Sequence, residues 1–177
     1  MLEKIAVFWF RRDVRLYDNH AFYQALTSGL QVLPVFIFDK DILKELSAKD
    51  DARLSFIRSE VQKLKTAFEE KESTLITFHG NPKDSFEQLV KDFEVEKVFC
   101  NKDYEPYGTR RDKEVKKLFD KNEIEFLQFK DHVIFEEDEV VKDDGEPYTV
   151  YTPYSKVWKK EFEKIEVPYY GCENHFD

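Results

Sequence analysis

The stretch VFWFRRDV (residues 7–14) runs from four apolar side chains straight into two arginines and an aspartate. Guanidinium and carboxylate groups this close either pair with each other or present charge to a ligand at the edge of a core. Two further clusters share the character. NKDYEPYG (101–108) sets Asp103 and Glu105 among tyrosines and a proline, and FIFDKDIL (36–43) carries an apolar run into Asp39. Arg53 follows a few residues on. Asp103 and Glu105 are spaced to act as general acid and base, or to cap their own loop and pair with nearby arginines; the spacing leaves both open. Other catalytic signatures are missing. There is no GxGxxG and no phosphate-cradling GxxxxGK[ST], and no GxSxG turn to carry a nucleophilic serine. His20, His79, His132 and His175 stand apart in sequence and read as packing or surface residues. These residues describe a binding pocket without an evident reaction.

The elements that must position them alternate regularly. Apolar, β-branched and aromatic runs predict strands at Lys4–Phe10, Gln31–Phe38, Thr74–His79, Lys97–Asn101 and Ile124–Phe129. Between them lie four helical patterns. The first opens at Asp18–Asn19, buries Phe22, Ala25 and Leu26 and stops at Gly29. The second starts after Asp50–Asp51 with Leu54, Ile57, Val61, Leu64 and Phe68 at steps of three and four. The third opens with Asn81–Pro82, a cap followed by proline at the first helical position. The fourth runs from about Thr109 with Val115, Leu118 and Phe119 inward. Such alternation predicts an α/β fold: a Rossmann-like, doubly wound, five-stranded parallel sheet in the order 3-2-1-4-5, with helices on both faces. In that order the strand direction of winding reverses between strands one and four, and ligands bind beyond the carboxyl ends there. The three charged clusters converge on that rim, which favours a pocket over simple strand termination.

Composition narrows the partners. The 177 residues are long enough for one domain with a real core, 41% of them apolar and 37% charged. The formal net charge of −9 repels phosphates, so non-specific nucleic-acid binding is not expected of this chain alone. No run approaches the length of about 18 apolar residues that a membrane crossing needs. The sequence enters its first strand without a leader pattern, and Cys100 and Cys172 lack metal-ligand spacing. The expectation is a cytoplasmic protein with reduced thiols and no membrane partner. Residues 136–146, rich in acidic side chains, read as a solvated loop.

Three motifs carry a resemblance. WFRRDVRLYDNHAF (9–22), NKDYEPYGTRRDKEV (101–115) and GEPYTVYTPYSKVWKK (145–160) are similar, in order and spacing, to signatures of the DNA photolyase/cryptochrome family. The resemblance extends from about Lys4 to Lys160. It implies the N-terminal α/β domain of a light-driven enzyme that repairs pyrimidine dimers, holding an auxiliary antenna chromophore. It also implies a following, larger helical domain that binds the catalytic FAD and receives damaged DNA. On this reading residues 1–135 form the α/β domain. Residues 136–165, an acidic loop and a Tyr/Trp-rich helix, close it, and residues 166–177 begin a linker to the FAD-binding domain. After Pro153, Tyr154, Val157, Trp158 and Phe162 fall on one helical face, suited to packing on this domain or to docking the next. Damaged DNA is expected as a partner only of the intact parent protein, and the 177 residues alone are expected to be inactive. The alternative within the family is a cryptochrome photoreceptor. A nucleotide-binding domain of the electron-transfer or stress-protein type lacks its glycine-rich loop here.

The resemblance also bears on the antenna. Folate-holding members carry an Asn that falls at Tyr107 and a Glu that falls at Gly108. Deazaflavin-holding members are similar to this chain at Ile37, Phe38, Asp39, Arg53, Asp103, Glu105 and Tyr107–Gly108. A deazaflavin or flavin is therefore favoured over folate, and a pocket filled by its own aromatic side chains, with no chromophore, is the third case. A tricyclic ring needs an aromatic wall and polar anchors. Phe10 and Phe38 are the expected wall, and Asp39, Arg53, Asp103 and Glu105 the anchors. Arg11 and Arg12 are expected to line the rim and help join the two domains.

Overall fold

The computed structural model describes residues 3–46 and 51–175. The chain runs β1 (Lys4–Phe10), α1 (His20–Leu26), β2 (Gln31–Asp39), α2 (Lys40–Lys44), α3 (Ala52–Glu69), β3 (Ile76–Gly80), α4 (Pro82–Asp92), β4 (Glu94–Asn101), α5 (Pro106–Lys121), β5 (Glu125–Phe129) and α6 (Tyr151–Phe162). A short 3-10 turn, Cys172–His175, follows. The five strands pair in parallel in the order β3-β2-β1-β4-β5. This is the expected doubly wound sheet, with β1 at its centre.

Period-two alternation along β1 sorts the core into two layers. Ala6, Phe8 and Phe10 face α1 and α3, where Phe22, Val61, Leu64 and Phe68 meet them. Ile5, Val7 and Trp9 face the opposite side, against Phe86, Leu89, Val115 and Phe119 of α4 and α5. The first layer is built on aromatic edges: Phe8 and Phe10 lie 4.5 Å apart at an interplanar angle of 87°. Phe8, Phe10 and Phe22 are completely buried, and each such side chain is worth roughly 1.5–3 kcal/mol of transfer free energy. The sheet is consequently a rigid platform.

Caps fix the helix starts. Asn19 accepts from the Phe22 N–H at 3.2 Å, Asp51 from Arg53 at 2.9 Å, and Asn81 from Lys83 at 2.9 Å. Asp50, the other half of the expected cap pair, lies outside the described residues. Two starts differ from expectation. Asp39 does not simply end a strand: it accepts from the Asp41 N–H at 3.0 Å and starts α2, five residues too short to show a period. α5 begins at Pro106 rather than near Thr109, because proline suits the first helical position and its fixed φ favours the helix there. Helix α1 ends at Leu26, and Gly29 takes the left-handed φ of 78° that turns the chain into β2.

The acidic segment is less solvated than expected. Val140 is buried, and Glu136 reaches back to Lys102 and accepts from the Tyr104 hydroxyl at 3.0 Å. Beyond it, α6 rests on this loop through Trp158, whose ring meets Phe135 edge-on at 5.5 Å. The chain then returns to α1. Tyr170 stacks on His20 at 3.9 Å and 9°, its N–H donates to Asp18 at 3.1 Å, and the Cys172 thiol donates to the Asn19 carbonyl at 3.2 Å.

Candidate functional site

Where β1 and β4 end, the sheet carries charge into its own interior. Arg11 continues the side of β1 that holds Trp9, so its side chain passes under α5 rather than into solvent. It grips Asp112 with two parallel N–H···O bonds of 2.9 Å and donates to the Asn101 carbonyl at 3.2 Å. Its guanidinium lies 4.1 Å from the Trp9 ring centre, with Arg111 4.9 Å from the same ring. Arg111 in turn joins Asp112 at 3.1 Å to Asp103 at 3.1 Å. Gln128 completes the Asp112 carboxylate at 2.7 Å. Behind this, Asn101 holds α1 and the loop after β1 together. It donates to Asn19 at 2.8 Å and to Asp13, and accepts from the Ala21 N–H at 3.0 Å.

Charged groups taken from water are tolerable only when paired and hydrogen-bonded. Here two arginines and two carboxylates from three segments of chain form one connected network. Desolvation raises the Asp103 carboxyl pKa, but the Glu105 N–H and the guanidiniums of Arg111, Arg12 and Arg11 outweigh it and hold the group below its ordinary value. Glu105 is also held low, chiefly by its bond to Arg12. Both are carboxylates at neutral pH, so neither is poised as a general acid. Burial pushes the Cys100 thiol up to about 12, which leaves it an inert, protonated side chain.

The rim above the network is made by Tyr107, Asp39, Arg12 and Glu105. The Tyr107 hydroxyl donates to Asp39 at 2.7 Å and so ties α5 to the end of β2. Arg12 and Glu105, both exposed, pair at 2.8 Å across the mouth. Gly108 has a specific steric role. A Cβ there would stand 2.3 Å from the Asp103 carboxylate, so the carboxylate occupies the space a side chain would need. Any side chain at this position is incompatible with this placement of Asp103.

The expected site residues do not all meet. Arg11, Asp39, Asp103 and Glu105 gather at the carboxyl ends of β1, β2 and β4. Phe10 is completely buried among Phe8, Phe22 and Phe68 and offers no wall to the rim. Ile37 is buried on the α4 and α5 side of the sheet. Phe38 is half-buried on the other side, against Phe36 at 4.9 Å. Arg53 turns to Asp51, bonding it at 3.0 and 2.7 Å and holding that carboxyl down to about 2. Trp9, Arg111 and Asp112 lie inside the quoted motifs yet carry no assigned role from sequence; the recurrence of Arg and Asp at 110–112, one turn inside α5, is the signal for the last two.

Two shallow clefts flank the network. One, about 150 Å³, is lined by Asp41, Lys83, Tyr107, Arg110 and Glu114 among others; the second, about 160 Å³, by Lys102, Asp103, Tyr104 and Lys113 among others. Ligand pockets typically measure roughly 300–1,000 Å³, so neither cleft alone encloses a tricyclic ring. The groups on the rim are Tyr107, Asp39, Glu105 and Arg12, whose donors and acceptors suit the polar edge of a ring; Phe38 lies on the other face of the sheet, with α1 and α3.

The sequence profile of DNA photolyase matches residues 6–170. A deoxyribodipyrimidine photo-lyase of Synechococcus sp. (strain ATCC 27144 / PCC 6301 / SAUG 1402/1) is 31% identical over 153 residues, covering 86% of this chain and 31% of the relative. A cryptochrome-1 of Spalax judaei is 27% identical over 164 residues, covering 92% of this chain and 28% of the relative. Among solved structures, the archaeal photolyase from Sulfolobus tokodaii with two FAD molecules superposes with a TM-score of 0.73 at 25% identity. That match covers 92% of this chain and 35% of the archaeal one. The chain thus spans about a third of the length of these relatives.

Proposed function

The chain belongs to the DNA photolyase family, and from that premise we propose that it is the light-harvesting α/β domain of a DNA photolyase, a light-dependent carbon–carbon lyase acting on pyrimidine dimers. The supporting observation is the rim itself: charged and aromatic groups on a rigid, buried ion network. When bound, an antenna chromophore absorbs light and passes its excitation through space to a second flavin. The residues of this chain then have two tasks, to bind the ring and to fix its orientation. Tyr107, Asp39, Asp103, Glu105 and Arg12 are the groups assigned to binding. The Arg11–Asp112–Arg111–Asp103 network holds α5, and with it Tyr107, against the sheet.

A deazaflavin or flavin suits this rim better than a reduced folate, because Gly108 leaves no side chain where the folate-holding Glu would stand. A flavin also accords with the two FAD molecules of the archaeal photolyase. Repair is the role proposed here, with a cryptochrome's signalling role as the alternative; relatives of both kinds match this chain. DNA contact is assigned to the FAD-binding helical domain rather than to this acidic chain, so a gel-shift titration at low salt should leave damaged duplex free.

Fluorescence titration with a deazaflavin, FAD and a reduced folate tests the proposal. The first two should bind more tightly than folate. Asp103→Ala should weaken them about tenfold or more, the scale of one charge-assisted hydrogen bond at about 1.5–3 kcal/mol. Glu105→Gln, which alters an exposed charge and spares the buried network, should weaken them less. Tightest binding of folate, or no effect of Asp103→Ala, would overturn the assignment.

A further inference from the structure

One of the two clefts beside the rim lies between α2 and the first turns of α4 and α5, and it holds cations that the buried network leaves available. Arg111 is the deepest of them. The residue is only 8% exposed, yet it lines this cleft of about 150 Å³ and not the other. Its Nε and Nη2 are engaged by Asp112 and Asp103. Its Nη1 has no partner among the described residues. The one side-chain atom among them that is both sealed and unpartnered is Nε of Arg11, so Nη1 of Arg111 is open to the cleft. Arg110 lines the same cleft without a hydrogen bond or ion pair to any described residue. Lys83 approaches Glu87 no closer than 3.6 Å.

Two carboxylates share the lining and do not neutralise it. Asp41 is matched by Lys44 at 2.7 Å, and Glu114 makes no ion pair with Arg110 one turn away. The cleft is thus locally positive in a chain whose formal net charge is −9. Guanidiniums present planar donors that match phosphate oxygens, and one already held by carboxylates loses little freedom on binding. Asn81, whose Oδ1 caps the Lys83 N–H, keeps its amide N–H groups for a further acceptor. The volume excludes a ring but admits a phosphate group. The cleft also adjoins the rim through Tyr107, which lines it, donates to Asp39 and lies 5.9 Å from the Arg111 guanidinium. We propose that this cleft is a phosphate site, and that the rim's ring ligand is a flavin or deazaflavin phosphorylated at the end of its ribityl chain. Arg110, Arg111 and Lys83 hold that phosphate. The ring's identity rests on the reading of the rim as an antenna site; the phosphate site does not.

Riboflavin and FMN differ only in the phosphate, so isothermal titration of the full chain with each reads its contribution. FMN should bind about tenfold more tightly or better, the scale of one hydrogen bond to a charged group. Inorganic phosphate, followed by phosphorus NMR, should compete with FMN and not with riboflavin. AMP, a phosphate monoester without the ring, should bind no better than inorganic phosphate. Arg110→Gln and Lys83→Gln should each reduce the preference for FMN and together abolish it, with riboflavin binding unchanged. Lys113→Gln, in the other cleft, should match wild type. All three positions are on helix surfaces, and circular dichroism verifies the fold. Equal binding of riboflavin and FMN would overturn the phosphate site while leaving the antenna reading standing. Phosphate binding that Arg110→Gln and Lys83→Gln leave intact, or AMP binding more tightly than FMN, would also overturn it. Phosphate binding lost in those variants, with neither flavin bound by wild type, would support the site and sink the antenna reading. Silence in every titration would overturn both.

Discussion

The carboxyl edge of the sheet and the surface of α6 depart from ordinary burial in opposite directions. At the edge, Arg11, Asp13, Asn101, Arg111 and Asp112 are buried. On α6 and the segment after it, tyrosine, valine and isoleucine stand in solvent. The first departure is closed: nearly every charged atom finds its partner within the chain, so the edge needs nothing from outside to be stable. The second is open, because among the described residues no element covers the strip. Buried ion networks are weak evidence for net stability, since apolar replacements of equal volume often serve as well. Their use here is positional. One carboxylate, Asp112, links β1, α5 and β5 through Arg11, Arg111 and Gln128.

The widest test of this contrast is removal of that carboxylate. Asp112→Ala leaves Arg11 and Arg111 buried against Trp9 without their shared partner. Breaking one side of a buried ion pair costs about 3–5 kcal/mol, and urea unfolding should show a loss of that size. A loss under about 1 kcal/mol would mean that water replaces the carboxylate and that the edge is not closed.

Next in size is Gly108→Ala. The added methyl meets the Asp103 carboxylate, and the overpacking should cost about 1–3 kcal/mol. In an Asp103→Ala background the sign should reverse, because alanine is favoured over glycine in a helix by roughly 1 kcal/mol. A double-mutant cycle by urea unfolding reads the difference. Additive effects would show that the two groups do not compete for the same space.

The contrast also explains what could be read from the sequence. Strand positions and their order were legible because period-two alternation and right-handed crossovers are local or generic rules. Asp39 and Pro106 carried helix-start signals, yet α2 was too short to show a period and α5 was started a turn late. The rim could be located from FRRD and NKDYEPYG, since topology alone brings those ends together. Its interior could not. Arg11 and Asp112 are 101 positions apart, and nothing local says that Arg11 turns under a helix while Arg12 faces solvent. Phe10 was expected at a wall and lies in the core, because its parity on β1 points it at α1. The return of Tyr170 onto His20 was likewise invisible, since stacking between residues 150 positions apart leaves no pattern in either segment.

A smaller effect separates the two regions by pH. Asp103 is depressed in the folded chain, so its contribution to stability is complete above the ordinary carboxylate range, near 3.8, and is lost as pH falls through its lower folded value. The α6 strip is apolar and contributes no such dependence. Asp103→Asn should therefore flatten the acid limb of the unfolding profile, while Val167→Ser should leave its shape unchanged. Equal acid limbs for wild type and Asp103→Asn would remove Asp103 from the network's working members.

The smallest expected change is on the strip itself. Tyr151 is 79% exposed in the first turn of a helix with no buried residue. Replacing it by serine removes ring surface that is already largely in water, and substitutions of this kind usually lie within about 0.5 kcal/mol of neutral. The helix beneath should be weakly held too, since few buried contacts tie it to the domain and local opening is cheapest in such elements. Amide exchange along α6 should accordingly be fast in the chain alone and nearly the same in Tyr151→Ser, while β1 exchanges only through global unfolding. A loss above about 1 kcal/mol in Tyr151→Ser, or slow α6 exchange in the free chain, would place the strip inside the domain's own core. Near-neutral stability with fast exchange would instead mark a surface built for contact, opposite in kind to the self-sufficient edge of the sheet.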